Sequence, residues 1–237
     1  MWEIINIEYN GNLGYSDNST VFNTVFQPLQ LEQKLVDWER QLPNNVSLIR
    51  SPEELLCLVS ESSPLSTVRF RVILTLRYLN VRVLLHRPVL VKFLEQIRVG
   101  ADNTEAQESE VLQQIGVSSL QSCAKSAGEI IFHISAITST NNQRKKLLGA
   151  WWFSLYYTFN AALVMYAALL IIGAQPEVVS SLKITKEELR FALSKAIEAL
   201  LGLDRDNILV ERCAKYLTQL VGVLEPLGES SLLHFCL

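Results

Sequence analysis

The chain has 237 residues, 49% hydrophobic and 19% charged, with a formal net charge of −3. Soluble domains average about 25% charged residues, so this chain is charge-poor and must bury a large core. Its acidic balance supplies no phosphate-tracking surface, which argues against nucleic-acid binding through bulk charge.

The opening residues MWEIINIEYN carry two acids and lack the basic region of a secretory signal. Residues 1–27 are Asn-rich and weakly patterned, and GNLGYSDNST reads as a loop. Two sequons, at Asn18 and Asn45, match the glycosylation pattern at the level of chance. Helical signals begin at Leu29. In LQLEQKLVDWERQLP, Leu31, Leu35, Trp38 and Leu42 share one helix face, and Pro43 stops it. SPEELLCLVS offers Ser51 as an N-cap, Pro52 at the first helical position and Glu54 to complete a capping box.

STVRFRVILTLRYLNVRVLLHRP predicts a helix of five or six turns ending near Pro88, where VLVKFLEQI continues after a kink or restart. Apolar Val72, Leu76, Leu79, Val83 and Leu84 recur at helical spacing. Arg71, Arg77, Arg82 and Arg87 fall between them, placed to pair with acids on neighbouring helices or to reach outward. RVGADNTEAQESE predicts an exposed loop at about 98–112. The next helix, SSLQSCAKSAGEIIFHISAITS, turns Leu120, Cys123, Ala127, Ile130, Ile131 and Ile134 inward.

From Leu147 to Gly173 the chain contains no Asp, Glu, Lys, Arg or His. A helix apolar all round is either a membrane span or the centre of a large bundle. QRKK just before the run, and Trp151 and Trp152 at its start, suit a span anchored by 147–173. Ser154, Tyr156, Tyr157, Thr158, Asn160 and Tyr166 inside it, and the amphipathic helices around it, favour a buried core helix with Trp151, Trp152, Tyr156 and Tyr157 inside. A helix follows from Thr185, capped against Glu188, to a C-cap at Gly202. A last amphipathic helix carries Leu209, Cys213, Tyr216, Leu217, Leu220 and Val223. No strand or hairpin signal occurs. The predicted fold class is all-α, an irregular multi-helix bundle around a long apolar central helix.

No glycine-rich phosphate loop, nucleophile elbow or paired-histidine zinc motif is present. Cys57, Cys123, Cys213 and Cys236 lie outside metal-ligand spacing and sit among apolar residues, the usage of a reduced intracellular chain. His86, His133 and His234 fall in three separate segments, and His86 reads as a structural hydrogen-bonding group. The sequence points to no catalytic residue and no metal ligand, and leaves any ligand-binding residues unassigned.

RYLNVRVLLHRPVL, Arg77 to Leu90, resembles the Arg-Tyr…Leu-Leu-His-Arg-Pro helix of the fungal-specific transcription factor domain, the middle homology region of fungal zinc-cluster regulators. LEQKLVDWERQLP, SCAKSAGEII, LLGAWWFSLYYTFNAALVM and ERCAKYLTQL resemble four further pieces of that domain, in its order. The matching residues are Trp38, Arg77, Tyr78, His86, Arg87, Pro88, Trp151, Trp152, Tyr156, Tyr157, Arg212 and Cys213, all in structural rather than catalytic roles. The resemblance implies a regulatory domain over 28–227 with a tail at 228–237. It implies a non-enzymatic transcription regulator in the nucleus, working through other transcription proteins and a small-molecule effector. In that family DNA is read by an N-terminal module of six cysteines holding two zinc ions. No such cluster occurs in this sequence, so DNA contact is expected only through a separate module, and no cofactor is expected in this chain.

Overall fold

The computed structural model describes residues 21–60, 64–99, 106–139, 144–175, 178, 181–204 and 206–224. Among them there is no strand. The chain runs through α1 (Val21–Arg40), α2 (Pro52–Ser60), α3 (Leu65–Val99), α4 (Ala106–Val111), α5 (Val117–Thr138), α6 (Trp151–Ala174), α7 (Lys186–Leu203) and α8 (Ile208–Leu224). A π-helical turn, Leu112–Gly116, joins α4 to α5. The all-α bundle expected from the sequence is what forms.

Several boundaries differ from the sequence pattern. The first described helix already includes Val21, ahead of Leu29, and Val21, Val25 and Pro28 extend its buried face toward the N-terminus. The third helix passes through Pro88 without ending. A proline inside a helix costs about 3 kcal/mol; here Leu85, Val89, Leu90 and Phe93, all buried around it, offset that cost. Part of the predicted 98–112 loop is helical, from Ala106 onward. Gly202 is not a C-cap: the last helical residue is Leu203, and a Cβ on Gly202 would stand 2.8 Å from Thr138 Cβ. That glycine lets α7 pass close to the end of α5.

Helix α5 lies between α3, α6 and α7. Its predicted inner face is buried at every position: Leu120, Cys123, Ala127, Ile130, Ile131 and Ile134. Helix α6 is the one described helix long and apolar enough to cross a membrane, and 67% of its most apolar window is buried inside the bundle. Its buried residues, among them Leu155, Ala161, Ala162, Met165, Ala168 and Ile172, face α3, α5 and α7.

The aromatic start of α6 departs from expectation. Tyr157 is buried, but Trp151, Trp152 and Tyr156 are exposed, Trp152 by 55%. Trp152 and Tyr156 are four residues apart, on the arc of the helix that no described helix covers, whereas Ser154, Leu155 and Thr158 turn inward. In α8 the buried set is Val210, Ala214, Leu217 and Leu224. Leu209, Tyr216 and Val223 recur every seven residues and are exposed, although the Tyr216 ring lies 6.1 Å from that of Phe159 on α6. Cys57 is exposed as well, contrary to a buried role.

Capping follows the sequence closely. Thr185 Oγ1 accepts from the Glu188 N–H at 3.1 Å, and Glu188 Oε2 accepts from the Thr185 N–H at 2.8 Å. At α2 the Ser51 hydroxyl accepts from the Glu54 N–H. The Glu54 carboxylate reaches back one residue further than a capping box requires, to the Arg50 N–H, and takes Arg71 Nη2 at 2.8 Å with its other oxygen.

Candidate functional site

The largest convergence of polar side chains lies where α1 crosses α3. On α3, Tyr78, Arg82 and His86 are spaced by four and share one face. On α1, Glu32 and Glu39 are two turns apart and oppose it. Arg82 donates to Glu32 Oε1 from Nε at 2.9 Å and from Nη2 at 2.7 Å. His86 Nε2 lies 3.2 Å from the other oxygen, Glu32 Oε2. Tyr78 donates its hydroxyl proton to Glu39 Oε2 at 2.7 Å. The Arg50 guanidinium closes on Glu39 Oε1 as an ion pair. Trp38 stacks on the Tyr78 ring, centroids 6.1 Å apart, and the Arg82 guanidinium lies 6.0 Å from that ring's centre.

Burial dominates the electrostatics and the partners answer it. Burial pushes the Glu32 carboxyl up, but the His86 hydrogen bond and the Arg82 charge outweigh it and hold Glu32 below its usual range. Arg82 is driven down by burial and more than restored by Glu32. Burial and the hydrogen bond to Glu39 raise the Tyr78 phenol well above its ordinary value. His86 Nδ1 is buried without a hydrogen-bond partner. A recess of about 310 Å³ opens beside this cluster, bordered by Arg50, Thr75, Lys125 and Glu129 as well as Glu32, Glu39, Tyr78 and Arg82.

The matched residues therefore separate. Trp38, Tyr78 and His86 meet at this joint. Arg87 is exposed, and Pro88 is half-buried within α3. Arg77 is exposed beside the Tyr157 phenol, whose pKa burial raises and Arg77 partly lowers. Trp151, Trp152 and Tyr156 lie on the surface. Arg212 is exposed on α8 and Cys213 is half-buried, its thiol pushed up by burial. Sequence reasoning missed Glu32, Glu39 and Glu129. The available signal was the spacing of 32 and 39 facing 78, 82 and 86.

This geometry neutralises charge internally and places no nucleophile against a base. Among the described residues no three His, Cys, Asp or Glu side chains converge as metal ligands. The sequence has four cysteines, Cys57, Cys123, Cys213 and Cys236; these do not fit a six-cysteine zinc cluster. Cys236 and His234 lie outside the described residues. His133 is buried, and its pKa is lowered by that burial.

No family model matches the chain, and no solved structure matches it. Two curated relatives do. The chain is 31% identical over 194 residues, 82% of its length, to Transcription factor FBD3 of Fusarium pseudograminearum. It is 30% identical over 234 residues, 96% of its length, to Transcription factor FBD3 of Gibberella moniliformis. The chain is thus similar, along most of its length, to a segment of fungal transcription factors. It spans 25% and 30% of those two relatives.

Proposed function

We propose that this chain is the regulatory, middle homology region of a fungal zinc-cluster-type transcription factor. The observation that carries the reading is the similarity of 96% of the chain to a segment of a protein named as a transcription factor. The helical bundle and the internally paired cluster of Glu32, Arg82, His86, Tyr78 and Glu39 support it, because they form a scaffold without a reaction centre. The chain then acts in the nucleus, without catalysis, by presenting surfaces to other transcription proteins and by answering a small-molecule effector. DNA reading and the family's two zinc ions belong to a module outside this sequence.

The test is a reporter strain in which the chain is fused to a heterologous DNA-binding domain. The expected result is nuclear accumulation and a reporter output changed several-fold against the DNA-binding domain alone. An unchanged reporter with the tagged chain held in membranes would overturn the reading and favour the span at 147–173.

A further inference from the structure

A second cavity, of about 500 Å³, lies between α5 and α7 over the middle of α6. Small-molecule sites fall within roughly 300–1,000 Å³, mostly apolar with a few placed polar groups. Its walls fit that description. Ala124 and Gly128 hollow the α5 side, Met165 of α6 closes the floor, and Leu189 and Ala192 form the α7 side. At Gly128 a Cβ would stand 3.2 Å from Met165 Cε, so the glycine leaves room for the methionine end. At the mouth Phe132 and Phe191 approach with ring centroids 6.0 Å apart, and Phe191 remains 54% exposed.

One charged group in this wall, Glu129, is half-buried and also borders the recess that holds Arg50 and Arg82. Glu129 makes no hydrogen bond or ion pair with any described residue. Burial raises its carboxyl pKa, and the charges of Lys125, Arg82 and Arg50 offset that only in part. The other charged groups of the lining are already served. Glu188 is held in the α7 capping box, and Lys125 and Lys183 stand exposed. A half-buried carboxylate beside an apolar hollow gains most from a charge-assisted hydrogen bond, which is roughly twice as strong as a neutral one.

We propose that this cavity binds a lipophilic amine, its apolar body seated against Met165, Leu189 and Phe191 and its ammonium group donating to Glu129. As the effector site of a transcription regulator the cavity rests on the reading above. The binding step is independent of it and is measured on the purified chain without any transcriptional readout.

The experiment titrates the full chain with adamantan-1-amine and with its neutral isostere adamantan-1-ol, by calorimetry at neutral pH. The amine is expected to bind at least tenfold more tightly. Glu129→Gln should bring the two within about threefold of each other. Phe191→Ala should weaken both several-fold, and Tyr78→Phe, in the neighbouring recess, should change neither; melting curves confirm that each variant is folded. Equal affinities for amine and alcohol in the unaltered chain, or no binding of either, would overturn the proposal. So would loss of binding in Tyr78→Phe with Phe191→Ala unaffected, because the ligand would then lie in the recess. A chain that binds the amine as described but leaves the reporter unmoved refutes the regulatory reading alone.

Discussion

Glu32 on α1 lies 3.2 Å from the buried imidazole of His86 on α3, 54 residues along the chain. The same carboxylate holds Arg82, so one side chain fastens α1 to α3. Glu32 is held below its ordinary pKa of 4.5 by these partners. A carboxyl with a depressed folded-state pKa contributes stability that is present above the unfolded pKa and lost as pH falls through the folded one. The chain should therefore lose stability on acidification below about pH 4.5, and Glu32→Gln should flatten that dependence. Glu32→Ala strands Arg82 and His86 together and should cost about 1–3 kcal/mol at neutral pH. Urea melts of the three proteins at several pH values measure both effects; parallel pH profiles would remove Glu32 from this role.

Thr185 begins α7 with both halves of a capping box formed. Removing the hydroxyl leaves the Glu188 N–H without its partner. Thr185→Ala should destabilise the chain by about 1 kcal/mol, and Thr185→Ser should restore most of that. Equal melting points for the alanine and serine variants would show that solvent serves the helix end as well as the side chain does.

The elements that were legible in the sequence are those where one local rule acts alone. The inner face of α5 and the Thr185 cap follow from helical spacing and from side-chain chemistry within one turn. Reading failed where tertiary packing decides. Pro88 marks a helix end locally, yet Leu85 and Phe93 hold the helix through it. Trp151 and Trp152 read as core because the run is apolar all round, and hydropathy cannot say which arc of such a helix the neighbours cover. Tyr216 and Leu217 are adjacent apolar residues on α8, and only the second is buried. The charged joint was half legible: Arg82 and His86 stood out, whereas Glu32 and Glu39 looked like an ordinary solvated face until α3 was laid across it.

Cys123 is fully buried on α5, its thiol directed at the Val83 carbonyl at 3.6 Å. Burial pushes its pKa up to about 12. Only the thiolate reacts with alkylating reagents, so Cys123 should be silent in the folded chain at pH 8. Peptide mapping after brief iodoacetamide treatment should find Cys57, exposed on α2, modified and Cys123 unmodified. Cys123 should become labelled only in denaturant, and its labelling rate then reports opening of the α3–α5 contact. Prompt modification under native conditions would mean that this contact opens readily.

Gly202 and Gly222 test the packing and the helix propensity separately. Both lie inside helices, where replacing glycine by alanine gains roughly 0.5–1 kcal/mol if nothing else changes. At Gly222 a Cβ meets nothing within 4 Å, so Gly222→Ala should stabilise the chain by about that amount. At Gly202 the added carbon would stand 2.8 Å from Thr138 Cβ and 3.1 Å from its hydroxyl. Thr138 is β-branched and its hydroxyl already donates to Ile134 O, so it has little freedom to retreat. Overpacking of this kind costs about 1–3 kcal/mol, which outweighs the propensity gain. Gly202→Ala should therefore lower stability while Gly222→Ala raises it. In Gly202→Ala combined with Thr138→Ala, where the hydroxyl at 3.1 Å is removed and the Cβ is left unbranched, part of the loss should return. A stabilised Gly202→Ala protein would show that α7 does not need its close approach to the end of α5.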